Sequence, residues 1–373
     1  MWHEHDQPVS AFGDLLRAYR LAAGLTQYEL AIKSGLSIAA LRDYEQSRRH
    51  PRARSLAALV GALGLNTDQA ASLARAGKRP WYGGAISWSH HRKDFTPAAL
   101  GSREPARRLW VAALGPLQAW WGGVPLSLGP PAQRAVLGLL LINSGVPVRR
   151  DAIVDVLWGD EPARSAVGVV QAHVSRLRKA LTPPERSADS DGQIISLINC
   201  GYVIHFSENG LDVLAFRDLV ARAAVAQSIG DDATACDFYE QAIGLWRGDP
   251  LADVELLYGH PGITLLRQEL ICALLRYADV ACALGQYYRV LPRLRALAAA
   301  EPFNEPAHAR LMITLAGSGE QAAAIRVYED LRLRLDRELG LYPGEELAGA
   351  HMRVLRRDIR PGHWALARAH ADR

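Results

Sequence analysis

The stretch "VVQAHVSRLRKAL", residues 169–181, constrains the fold of this chain most tightly. Val170, Val174, Leu177 and Leu181 recur at i, i+4, i+7 and i+11, the spacing of a helix with one apolar stripe. The opposite face carries Gln171, Ser175 and Arg178, flanked by His173, Arg176 and Lys179, and no residue of the stretch is acidic. A solvated surface helix mixes both signs of charge. A helix with one buried stripe and one basic, polar face suits a polyanion.

The surroundings say what this helix belongs to. Upstream, "RLWVAALGPLQAWWGGVPLSL" reads as strands with a hairpin turn at its Gly-Gly. A helix follows Pro131 ("AQRAVLGLLLINSG"), and a second follows "VPVRRDAIVDVLWG". After the basic helix comes a polar loop, "TPPERSADSDGQ", read as a disordered tip. The alternating "IISLINCGYVIHFS" then predicts a closing hairpin. Strands, three helices and a C-terminal hairpin make a winged helix over 106–207, with the hairpin as its wing.

Two helical regions flank it. Residues 10–76 read as five short helices. "FGDLLRAYRLAAG" stops at Gly24, and Thr26 and Glu29 have capping-box spacing for a helix ending at Gly35. Ser37 caps the next helix, which runs into a basic turn with Arg48 and Arg49 before Pro51. Two short helices around "GLS" describe a helix-turn-helix. Residues 77–105 are a linker rich in Gly, Pro and Ser, partly ordered by docking of Trp81, Tyr82 and Trp88. From 211 to 357 the pattern is helical, with Gly230, Gly285 and Gly319 each preceding a helix. The last two are 34 residues apart, the period of tetratricopeptide helix pairs. Ala235 with Tyr239, and Ala324 with Tyr328, give the small-to-aromatic alternation that stacked pairs need. Such a solenoid offers a surface for protein or peptide. Residues 358–373 form a short basic tail.

"LRAYRLAAGLTQYELAIKSGLSIAALRDYEQSRRHPR" resembles the XRE (lambda-repressor-like) helix-turn-helix over its whole length. The resemblance implies that the helix from Ser37 enters the major groove, with Gln27 on the phosphate backbone and Arg42 on bases or phosphate. The start of that helix departs from the pattern: Ile38, Ala39 and Ala40 offer only small apolar contacts to a thymine methyl. "VPVRRDAIVDVLWGDEPARSAVGVVQAHVSRLRKAL" followed by "GYVI" is similar to the OmpR-type winged helix in the form used by the SARP family, actinobacterial activators of antibiotic and other specialised-metabolite pathways. The segment 211–357 resembles the bacterial transcriptional activator domain that follows it in that family; "TLAGSG" departs locally. Together these imply a mainly α protein: an N-terminal helix-turn-helix bundle, a central winged helix with β-hairpins and a C-terminal TPR-like α-solenoid.

The site expectations follow. Arg176 and Arg178 splay to either side of the groove floor, one holding phosphate and the other a guanine edge, where arginine is bidentate to O6 and N7. Gln171 pairs with adenine, Ser175 takes a base or phosphate, Lys179 adds a cation, and His173 sits on phosphate or packs beside it. In the wing, Asn199 and Tyr202 touch the adjacent backbone or minor groove. The resemblance further implies promoter direct repeats bound by a homodimer or tandem protomers, and RNA polymerase holoenzyme as a partner. The solenoid would support both.

Composition agrees with such partners. Residues 1–210 hold 24 Lys and Arg against 17 Asp and Glu, and residues 211–373 hold 19 against 22. A basic front and a mildly acidic back suit nucleic acid at one end and protein at the other. Cys200, Cys236, Cys272 and Cys282 lie far apart with no C-x-x-C pair, fitting reduced thiols in a cytoplasmic protein. No signal peptide or membrane span is read. No nucleotide-binding, zinc-protease, serine-hydrolase or dinucleotide motif occurs, so neither an enzyme nor a cofactor is expected. "HEHD" at 3–6 and the pair His90-His91 are read as tail and linker rather than metal ligands. Two readings compete with activation: a protein-interaction scaffold, and an occlusion-type repressor using the same domains.

Overall fold

Helix ends organise the N-terminal region. In the computed structural model, which describes residues 12–45, 51, 53–77, 109–159, 165–182, 194–206 and 210–359, the chain divides into two compact units, 1–83 and 84–373. The first unit holds α1 (Phe12–Ala22), α2 (Gln27–Ser34), α3 (Ile38–Glu45), α4 (Ala53–Leu63) and α5 (Thr67–Gly77). Thr26 Oγ1 accepts from Glu29 N at 3.2 Å, and Thr26 N donates back to the Glu29 carboxylate at 2.7 Å, so α2 begins with a complete capping box. Gly35 ends α2 at φ +68°, a left-handed conformation that glycine adopts without a Cβ penalty. Phe12, Leu16, Leu30, Leu41, Leu59 and Leu73 form the buried centre. Buried Arg20 locks α1 to α3 through Glu45, its Nη2 donating to Oε2 at 3.0 Å.

In the second unit, β1 (Leu109–Ala112), β2 (Gln118–Trp121) and β3 (Val124–Pro125) form an antiparallel meander. Gly122 and Gly123, at φ +53° and +85°, make its tight hairpin. Next come α6 (Pro131–Ile142), β4 (Val148–Arg149), α7 (Arg150–Trp158), α8 (Ala166–Leu181), β5 (Ile195–Ile198) and β6 (Gly201–Ile204). The second sheet has the order β4-β6-β5. Helical periodicity does not announce β4; two residues of "VPVRRD" pair with Gly201 and Tyr202 before α7 begins.

Among the described residues the α-helices that follow are α9 (Asp212–Ser228), α10 (Asp232–Gly244), α11 (Pro261–Ala283), α12 (Tyr287–Ala300), α13 (Glu305–Gly317), α14 (Gln321–Arg334) and α15 (Glu345–Arg356). Successive helices pair as α9/α10, α11/α12 and α13/α14, and α15 packs on α13. Gly230, Gly285 and Gly319 turn each pair at φ +79°, +68° and +92°. The winged helix and this array share one core. A Cβ on Gly138 of α6 would lie 2.7 Å from Leu257 Cδ1, and one on Gly262 would lie 2.2 Å from Ile142 Cγ2. The missing side chains let the two parts close on each other. Among the described residues no helix is long and apolar enough to cross a membrane.

Candidate nucleic-acid interface

Helix α8 is seated by Val170, Val174, Leu177 and Leu181, all fully buried. Ala166 and His173 widen that stripe. Facing out are Gln171, Ala172, Ser175, Arg176 and Lys179, preceded by exposed Val167 and Gly168. The outer face is therefore polar and basic along its C-terminal half, and small or apolar in its first turn. No acidic residue occurs anywhere on α8.

This placement bears on three of the expected contacts. His173 is only 7% exposed, so of its two expected placements it takes the packed one, under the helix. Burial, assisted by the Arg176 charge, holds its pKa below the ordinary imidazole value. Arg178 is half-buried, and its Nε donates to the Ile195 carbonyl at 2.9 Å, tying α8 to the wing. Tyr202 is buried on β6, opposite Val148 and Leu197, with the Arg150 guanidinium 5.8 Å from its ring centre. An inward tyrosine holds the wing and is unavailable to DNA.

Asn199 does sit at the wing tip. With Cys200 it forms the two-residue turn of the β5–β6 hairpin, at φ +45° and +66°, and both are exposed. Asparagine tolerates this left-handed region better than most residues. The next residue, Gly201, is demanded by packing, because a Cβ there would lie 2.9 Å from the Val148 carbonyl oxygen.

In the N-terminal unit, Ser37 Oγ accepts from Ala40 N at 3.1 Å, which caps α3 as its sequence position predicts. The expectation for Gln27 is corrected in part. Its Nε2 donates to Glu45 Oε2 at 2.7 Å, so the amide nitrogen is committed inside the bundle. Burial alone would raise the Glu45 pKa; hydrogen bonds from Arg20 and Gln27 outweigh it and hold the carboxyl below its usual range. Arg42 is exposed. Arg48, Arg49, the side chain of Ala39, the linker with Trp81, Tyr82 and Trp88, the tip of the 182–193 loop and nearly all of the tail lie outside the described residues.

Sequence reasoning passed over Val167, Gly168 and Ala172. Nothing in a string of small and apolar residues separates an exposed turn from a buried one. The signal was positional: Val167 lies three residues before Val170, at the edge of the stripe, and Ala172 lies two residues from both Val170 and Val174, on the opposite face.

Comparison with known proteins gives the region its context. Residues 211–355 match the model of the bacterial transcriptional activator domain. Residues 125–204 match that of the transcriptional regulatory protein C terminus, and residues 11–73 a helix-turn-helix domain. The regulatory protein AfsR of Streptomyces griseus is 34% identical over 253 residues, covering 68% of this chain and 25% of AfsR. The chain thus spans a quarter of that relative's length. The regulatory protein DnrI of Streptomyces peucetius is 30% identical over 256 residues, 66% of this chain and 92% of DnrI. A solved structure of Mycobacterium tuberculosis EmbR in complex with a low-affinity phosphopeptide superposes with a TM-score of 0.61 at 29% identity, covering 70% of this chain and 68% of that one.

Proposed function

The chain belongs to the SARP family of transcriptional regulators, and from that premise we propose that it is a sequence-specific activator of a specialised-metabolite gene cluster. Its winged helix binds promoter direct repeats as a homodimer or as tandem protomers, and the helical array helps engage RNA polymerase holoenzyme. The observation that carries this reading is the outer face of α8, where Gln171, Ser175, Arg176 and Lys179 stand exposed without a single acidic neighbour on the helix. Gln171 suits an adenine edge and Arg176 a phosphate or guanine.

The N-terminal bundle adds backbone contacts or binds protein. The second role is favoured by Tyr28 and Ile32, which lie one turn apart on α2 and are 61% and 65% exposed. The test is a genomic selection with the purified chain and its Arg176→Ala variant, followed by footprinting. Promoter-proximal direct repeats recovered by the wild type and lost by the variant support the reading. If the variant recovers the same sites, the winged helix does not choose the sequence; if neither selects DNA, the scaffold reading replaces it. With about six to ten phosphates contacted, affinity falls roughly 10³–10⁵-fold between about 50 and 200 mM salt. A transcription assay from the recovered promoter separates activation from occlusion.

A further inference from the structure

Val167 is an exposed β-branched residue in the first turn of α8, 47% accessible. The domain's own core does not use it, since packing is carried by Ala166, Val170, His173, Val174, Leu177 and Leu181. Nor does helix propensity explain it, because valine is a weaker helix former than alanine, leucine or arginine. Its position does. Gln171, Ser175 and Lys179 follow Val167 in four-residue steps, all exposed, so Val167 begins a ridge that turns polar and ends in a cation complementary to DNA phosphate.

Gly168 adds an independent feature. A Cβ built there would meet nothing within 4 Å, so no packing inside the protein requires glycine at a position where it costs a helix about 1 kcal/mol. Its bare backbone leaves room beside the Val167 side chain for an incoming group. Reading helices present their N-terminal residues to base edges, and the one apolar group on the major-groove floor is the C5 methyl of thymine.

We propose that Val167 is a specificity-determining residue that reads a thymine methyl group in the major groove, next to the base pair contacted by Gln171. The inference rests on the DNA-binding function proposed for α8. It assigns to an apolar side chain a share of the sequence choice otherwise credited to the arginines.

The experiment uses the full chain and the operator recovered by selection. Each thymine of one repeat is replaced in turn by deoxyuridine, which removes the methyl group and leaves base pairing intact. Binding is measured for the wild type and for Val167→Ala. At one thymine the wild type should bind about fourfold more weakly, the worth of one buried methyl group, while Val167→Ala barely responds. That coupling is the signature of direct contact. Equal responses of the two proteins at every thymine overturn the assignment while leaving DNA binding intact. Recovery of no operator at all removes the functional reading and the inference with it. Because the perturbation is on the DNA, the wild-type arm is immune to any folding defect of the variant.

Discussion

Replacing Asp212 tests how the reading head is joined to the helical array. The carboxylate, at the start of α9, is 1% exposed. Ala113 N donates to Oδ1 at 2.8 Å and to Oδ2 at 2.9 Å, and Leu114 N donates to Oδ2 at 2.9 Å. Both donors lie just beyond β1. Arg247 faces the same carboxylate, its Nη2 3.8 Å from Oδ2, and its backbone N–H donates to the Leu114 carbonyl at 2.7 Å. Burial pushes the Asp212 pKa up to about 6, against the pull of these hydrogen bonds and of Arg247. Burial also holds Arg247 below the ordinary arginine range. On both partners, loss of water outweighs their mutual attraction.

The sign of the pH effect follows. With a folded-state pKa of about 6 against an ordinary 3.8, the native protein holds the extra proton between those values. The contribution of this group to stability is fully present below 3.8 and is lost as pH rises through about 6. At about 1.4 kcal/mol per tenfold change in proton affinity, the whole effect is roughly 3 kcal/mol. Asp212→Asn keeps the shape and one acceptor but cannot titrate. Urea unfolding of both proteins between about pH 4 and pH 7.5 measures the effect, since other carboxylates cancel in the difference. Wild type minus variant should grow by roughly 2–3 kcal/mol on acidification. A difference that stays flat, or narrows as pH falls, refutes the reasoning.

Three further substitutions probe the wing and the array. Gly201→Ala should lower stability by about 1–3 kcal/mol in a thermal melt, because its Cβ meets the Val148 backbone oxygen rather than a movable side chain. Arg178→Met keeps the packed stem but removes the bond to Ile195 O; it should cost about 1 kcal/mol and speed amide exchange in β5 and β6. Arg310 binds Asp279 at 2.8 and 3.1 Å with both side chains buried, so Arg310→Met should cost about 3–5 kcal/mol in urea unfolding. Adding Asp279→Leu to it should recover much of that loss, because no buried charge is then left alone.

Local signals in the sequence carried far. The capping box at Thr26 and Glu29, the Gly122-Gly123 hairpin, the buried stripe of α8 and the helix-pair glycines were each legible because a few neighbouring residues decide them. What was not legible depends on distant partners. The bond from Arg178 to the wing was hidden because Ile195 stands 17 positions away, beyond a stretch of no pattern. Asp212 gave no sign of its role because its donors at Ala113 and Leu114 lie 99 and 98 positions upstream. His173 shared its face with cations by helical spacing, yet the hollow under α8 is wider than a four-residue stripe and takes the imidazole in. Tyr202 followed the wing tip closely enough to suggest DNA, whereas strand alternation turns it toward Val148.

The seam at Gly138, Gly262 and Asp212 also bears on how two copies would share the direct repeats proposed for this chain. A core that runs unbroken from α6 into the helical array leaves no swivel between reading helix and solenoid. On the direct repeats proposed for this chain, protomers repeat by translation and rotation along the duplex, so their contacts are head-to-tail. Repeats separated by a whole helical turn, about 10–10.5 bp, then hold both arrays on one face of the DNA. Inserting about 5 bp turns the second array to the opposite face, where a rigid seam cannot bring it back. Cooperative binding in a gel-shift titration should vanish at that half-turn insertion and return when about 10 or 11 bp are inserted. Equal cooperativity at both spacings would mean that the two parts swivel in solution, and that the shared core opens more easily than its buried glycine contacts imply.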